Sequence, residues 1–130
     1  MTVAGSRNSC VKRLLIADDR ARTRRALRAV LGMQRGLQLI GEAADGEEAL
    51  AAVERLRPDV VILDIRMPRL DGIAATIKIK SRWPDIRVVA HSLAEELSEE
   101  VLAAGADAFV PKGATADDLL RAICPCDASE

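Results

Sequence analysis

Apolar positions along this chain follow two alternating patterns. Short, nearly continuous apolar runs such as VKRLLIA at 11–17 and DVVILD at 59–64 read as strands, the latter buried on both faces. Between such runs, apolar residues return every three or four positions, as in an amphipathic helix. The pattern predicts strands over 11–17, 37–43, 59–64, 86–92 and 107–112. It predicts helices over 20–33, 46–57, 72–83, 95–106 and 115–123. The first helix should bury Leu27, Val30 and Leu31; the second should turn Ala49, Leu50, Val53 and Leu56 inward and stop before Pro58. The third is less cleanly amphipathic, since Ile77 and Ile79 point in different directions, and the fourth should end near Gly105. Thr115 suits the N-cap of the fifth, with Asp117 and Asp118 in its first turn.

Five βα units without a linker or an internal repeat imply an α/β fold, a parallel sheet covered by helices on both faces. Ligands of such sheets sit at the carboxyl ends of the strands. The first strand ends in Asp18 and Asp19, the third in Asp64, the fourth in Ser92 and the fifth in Lys112. If the first and third strands are neighbours, three carboxylates converge. Two unit charges 4 Å apart repel by about 4 kcal/mol at an effective dielectric near 20, and a divalent cation relieves this. An all-oxygen site with room for water and a phosphate suits Mg²⁺, and Mn²⁺ can replace it. Lys112 adds a positive charge and Ser92 a hydroxyl, the surroundings a transferring phosphoryl group needs, and an ionised aspartate can then act as the nucleophile. Each residue alone has a plainer reading: a turn-forming Asp pair, a solvated lysine, a serine bonded to local backbone. Their joint placement at four strand ends favours the shared site.

Composition narrows the field. Of 130 residues, 49% are apolar and 2% aromatic, so one domain with an aliphatic core is expected. The net charge of −1 gives no general pull toward nucleic acid or membrane, and no apolar run approaches a membrane span. Residues 1–10 lack the apolar stretch of a secretory signal and read as a disordered leader, and residues 124–130 as a tail. Three cysteines, Cys10, Cys124 and Cys126, fit a reducing cytoplasm rather than a disulfide framework, and Cys124 with Cys126 makes a poor zinc site without further ligands. Five arginines crowd the first helix (Arg20, Arg22, Arg24, Arg25, Arg28), but no second basic element or stacking aromatics accompany them. A solvated or protein-docking face is expected there rather than direct nucleic-acid binding.

LLIADD, VVILDIRMPRLDG, VVAHSL and GADAFVPKG together resemble the receiver domain of two-component response regulators, over about Val11 to Ile123. The resemblance implies the doubly wound strand order 2-1-3-4-5 and a phosphorylation-controlled switch. It makes Asp64 the phosphoacceptor and Asp18 and Asp19 the Mg²⁺-binding acids, joined by Asp64 and by the backbone carbonyl of Arg66. Ser92 matches the switch hydroxyl, Lys112 the phosphate-pairing lysine and Phe109 the aromatic switch position, where a simple core ring is an equal reading. The implied partners are a histidine kinase or histidine phosphotransfer protein, which the arginine-rich helix would help dock, and an output protein or attached output domain. A homodimer through the fourth-helix face follows by analogy only. The chain would be a phosphoacceptor rather than an enzyme, apart from catalysing its own phosphotransfer and dephosphorylation. It would be a stand-alone receiver or the N-terminal part of a longer regulator.

Several positions depart from the pattern. Gly113 follows Lys112 where proline is usual, so a trans bond is expected, and KGAT is closer to receivers attached to helix-turn-helix regulators of the NarL type. Leu93 replaces a small residue beside the opening. His91 should point away from the site by strand alternation and pack. Two rivals are a haloacid-dehalogenase-type phosphatase, disfavoured because Arg66 stands where that chemistry needs a second Asp, and a pseudo-receiver that binds without being phosphorylated.

Overall fold

The computed structural model describes residues 11–125; the leader expected over 1–10, and Cys126 with the residues after it, lie outside them. Strands β1 (Lys12–Ala17), β2 (Leu37–Ala43), β3 (Val60–Leu63), β4 (Arg87–Ser92) and β5 (Ala108–Pro111) alternate with five helices. These are α1 (Ala21–Leu31), α2 (Gly46–Leu56), α3 (Gly72–Arg82), α4 (Ser98–Ala103) and α5 (Ala116–Ile123). The strands pair in parallel in the order β2-β1-β3-β4-β5. The first connection runs to one edge and the later ones to the other, so the winding reverses between β1 and β3.

Alternation along the central strands divides the core in two. Leu15, Ala17, Val61, Leu63, Val88 and Ala90 pack with Ala49, Val53, Ala75, Ile79 and Val101 from α2, α3 and α4. Leu14, Ile16, Val60, Ile62 and Val89 pack with Leu27, Leu31, Leu119 and Ile123 from α1 and α5. This is why the strands read as unbroken apolar runs: both faces are covered. Asp45 caps α2 by accepting from the Glu48 amide at 2.8 Å, and Asp71 caps α3 from the Ala74 amide at 2.8 Å. Thr115 and Asp118 form the reciprocal capping box of α5.

Four details differ from the sequence expectation. Val30 is exposed rather than packed, because Leu27 and Leu31 already span the contact with the sheet. In α2, Ala52 is buried while Leu50 and Leu56 are only partly covered, so the inward face is narrower and built on small residues. The fourth helix does not start at residue 95: Glu95–Leu97 forms a tight 3₁₀ turn before α4, and neither Ala94 nor Leu97 supplies a side-chain cap. Cys124, assigned to the tail, is buried in the α1/α5 core.

The loop from β3 to α3 folds back onto β3 and stays there because Gly72 has no side chain. Its amide donates to the Ile65 carbonyl at 2.7 Å. A Cβ at Gly72 would lie 2.1 Å from the Asp64 carbonyl oxygen and 2.7 Å from Ile65 Cα, both backbone atoms with no freedom to swing away. The far side of the loop is pinned by Arg69, whose Nε meets the Asp45 carboxylate at 3.1 Å. Gly72→Ala should therefore destabilise the fold by about 3 kcal/mol, read as a lower urea midpoint. An unchanged midpoint would show that the loop is not held by this contact.

Candidate functional site

The sheet register builds the site. Ala17 pairs with Leu63, and the Asp64 amide donates to the Ala17 carbonyl at 2.9 Å. Asp18 and Asp64 therefore leave the two central strands side by side. One step along the sheet, Ser92 pairs with Pro111, and the Lys112 amide donates to the Ser92 carbonyl at 3.1 Å. Four strand ends thus deliver the expected residues to one rim. Asp18, Asp19 and Asp64 each offer a carboxylate oxygen, all within 4.8 Å of one another; Asp18 and Asp64 are buried and Asp19 is exposed. A hard divalent cation fits this all-oxygen donor set.

Lys112 holds the two buried acids. Its Nζ lies 2.8 Å from Asp18 Oδ2 and 3.2 Å from Asp64 Oδ2. The remaining oxygens are held by backbone: Asp18 Oδ1 accepts from the Arg20 amide at 2.9 Å, and Asp64 Oδ1 from the Ile65 amide at 2.7 Å. Arg24 reaches back to the Asp18 carbonyl at 2.6 Å and also pairs with Glu42, as does Arg28. Two of the five arginines of the first basic run are therefore structural. Burial pushes the Asp18 carboxyl above its ordinary range, with a further push from Asp64, against the pull of Lys112 and the Arg20 amide.

A cleft of about 310 Å³ opens above the cluster, lined by Asp19, Arg20, Asp64, Ser92, Leu93 and Lys112, among others. Ser92 is buried and its Oγ accepts from the Ala94 amide at 3.1 Å, the local backbone bond a strand-end serine ordinarily makes, while its residue still faces the cleft. Leu93 is 65% exposed and borders the cleft. Phe109 is partly buried against the α2/α3/α4 core, a core ring in this conformation. His91 lies outside the cleft. It is buried beside the α1/α5 groove, with Nδ1 lacking a hydrogen-bond partner among the described residues. The Lys112–Gly113 bond is trans.

One rim residue has no counterpart in the sequence reading. Glu96, in the 3₁₀ turn, pairs with Arg66 at 2.5 Å and also lines the cleft. Nothing local marks it, since it is one of several glutamates in EELSEE. Arg66 lines the cleft with its side chain engaged by Glu96.

Comparison with known proteins gives a consistent picture. The family model for the response regulator receiver domain matches residues 14–124. The chain is 39% identical to response regulator GacA of Pseudomonas viridiflava over 113 residues, covering 85% of this chain and 53% of that protein. It is 41% identical over 113 residues to the transcriptional regulatory protein PdtaR of Mycobacterium tuberculosis, covering 86% and 55%. The chain thus spans about half the length of these relatives. Among solved structures it resembles CheY in the CheX–CheY–BeF3–Mg²⁺ complex of Borrelia burgdorferi (TM-score 0.80, 31% identity, 88% of each chain). It also resembles a LuxR-family two-component response regulator from Aurantimonas sp. SI85-9A1 (TM-score 0.84, 26% identity, 92% of this chain and 87% of that one).

Two measurements probe the electrostatics. A carboxyl whose folded pKa is raised contributes stability below its unfolded pKa and loses it as pH rises through the folded value. At neutral pH the Asp18 charge therefore opposes folding when no cation is bound. Asp18→Asn should raise stability in metal-free buffer and lose most of the gain that Mg²⁺ gives the parent. A lower melting temperature in metal-free buffer would mean that the Lys112 contact outweighs burial. For His91, burial and then the nearby Lys112 charge lower the pKa from 6.5 to about 4. Between those pH values the unfolded chain binds the extra proton, so stability falls as pH falls. His91→Gln should lose less stability than the parent from pH 6.5 to about 4; parallel curves would show that His91 is protonated in the folded state.

Proposed function

The chain belongs to the response regulator receiver domain family of two-component signalling, and on that premise we propose that it is a phosphorylation switch with Asp64 as its phosphoacceptor. The observation that carries this reading is the placement of Asp64: buried, one carboxylate oxygen fixed by its neighbour's amide and the other facing Lys112, beside two further acids at an open cleft. A side chain held this way is oriented for in-line attack and needs little reordering. Asp64 attacks the phosphorus of a phosphohistidine on a histidine kinase or histidine phosphotransfer protein. The new bond is P–O; the P–N bond breaks, and the imidazole leaves with a proton.

Asp18, Asp19 and Asp64, with the Arg66 carbonyl, would hold Mg²⁺, or Mn²⁺ in its place. When bound, the cation neutralises carboxylate and phosphoryl oxygens. Lys112 then exchanges its contact with the Asp64 carboxylate for a phosphoryl oxygen. Ser92 lines the cleft and only accepts in its local bond, so its O–H is available to donate to another such oxygen, and Phe109 follows into the space behind it. That movement would alter the face of α4, β5 and α5, where an output protein, an attached output domain or a second copy reads the state. The exposed part of the α1 basic run suits docking of the acidic or polar helices of a phosphodonor. No helix among the described residues is long and apolar enough to cross a membrane, and the reading places the chain in the cytoplasm.

Exposure to acetyl phosphate with Mg²⁺ should raise the intact mass by one phosphoryl group, about 80 Da, and EDTA or Asp64→Asn should abolish the gain. Equal labelling of the Asn variant would remove Asp64 from the role. Ser92→Ala should still accept the group but lose most of the change in amide exchange over residues 93–112.

A further inference from the structure

We propose that Arg66 and Glu96 form an electrostatic latch across the mouth of the cleft, which slows entry of phosphodonors to Asp64 and discriminates among them by charge. The inference rests on the receiver reading and adds to it a residue, Glu96, that the phosphoryl chemistry itself does not require.

The two side chains come from two different loops at the rim. Arg66 stands two residues past Asp64 on the loop leaving β3, and Glu96 stands in the 3₁₀ turn after β4. They meet at 2.5 Å at the rim of the cleft that both line. Lys112 is committed below to Asp18 and Asp64. Arg66 is therefore a rim cation whose forked donors suit a phosphoryl dianion, and Glu96 engages one of them, Nη2, through Oε2. A dianionic donor must displace Glu96 from Arg66 and approach its negative charge.

The pair is built to open. Its side chains are 67% and 63% exposed, and exposed ion pairs are weak. A buried pair of the same geometry would seal the cleft; this one imposes a modest, tunable barrier. It also ties the β3–α3 loop to the segment that follows the switch serine, so capture of Arg66 by a phosphoryl group would free that segment.

The test is a set of phosphorylation rates on the full chain at fixed Mg²⁺ and ionic strength. The parent, Glu96→Gln, Arg66→Gln and the double variant are compared with two donors. Acetyl phosphate is a dianion at neutral pH; phosphoramidate carries a single net negative charge. Glu96→Gln should speed reaction with acetyl phosphate roughly two- to fivefold, and with phosphoramidate less. Arg66→Gln should slow it, and in that background Glu96→Gln should give less than half its original effect on a logarithmic scale. Unchanged rates for Glu96→Gln would overturn the latch. So would an equal gain with both donors that persists undiminished without Arg66, since that is a diffuse charge effect. A parent that accepts no phosphoryl group from either donor overturns the receiver reading itself, whereas a labelled parent with indifferent variants overturns only the latch.

Discussion

Three carboxylates gathered at the end of a parallel sheet, held by one lysine, are the constraint on which the rest of this structure depends. With their nearest oxygens within 4.8 Å, Asp18, Asp19 and Asp64 repel one another, and Lys112 compensates only part of the charge. Burial raises the cost further, as the upward shift of the Asp18 carboxyl shows. The fold therefore carries an electrostatic debt at its rim that a divalent cation would relieve. A site that is costly when empty is one whose occupation has conformational leverage.

The scaffold keeps the debt from being relieved by relaxation. Asp64 and Asp18 extend the two central strands, which are fixed by pairing and by apolar cores on both faces. The β3–α3 loop cannot lift, because Gly72 seats directly on the Asp64 carbonyl and Arg69 is pinned to the cap of α2. Acids placed on flexible loops would simply separate. Further out lie exposed groups, Leu93 and the Arg66–Glu96 pair. Acids held by paired strands beneath an exposed rim suit chemistry that needs a fixed geometry.

Much of this was legible in the sequence, for physical reasons. Strands covered on both faces leave an unmistakable signature, so β1, β3 and β4 and the residues at their ends were placed correctly from VKRLLIA, DVVILD and IRVVAHS. Thr115 announced its helix through a local capping pattern. What failed were features set by tertiary contact. Periodicity gave Val30 to the core, but the sheet had room for only Leu27 and Leu31. The burial of Cys124 and the pairing of Glu96 with Arg66 depend on neighbours far away in the chain, and no local pattern encodes them.

The central claim is that this convergence makes Asp64, and no other carboxylate, the acceptor. Its most direct test is chemical mapping: treatment with acetyl phosphate and Mg²⁺, reduction with borohydride, which converts an aspartyl phosphate to homoserine, then peptide mass analysis. The account predicts homoserine at position 64 alone. Homoserine at position 18 or 19, or at none of the three, would contradict it.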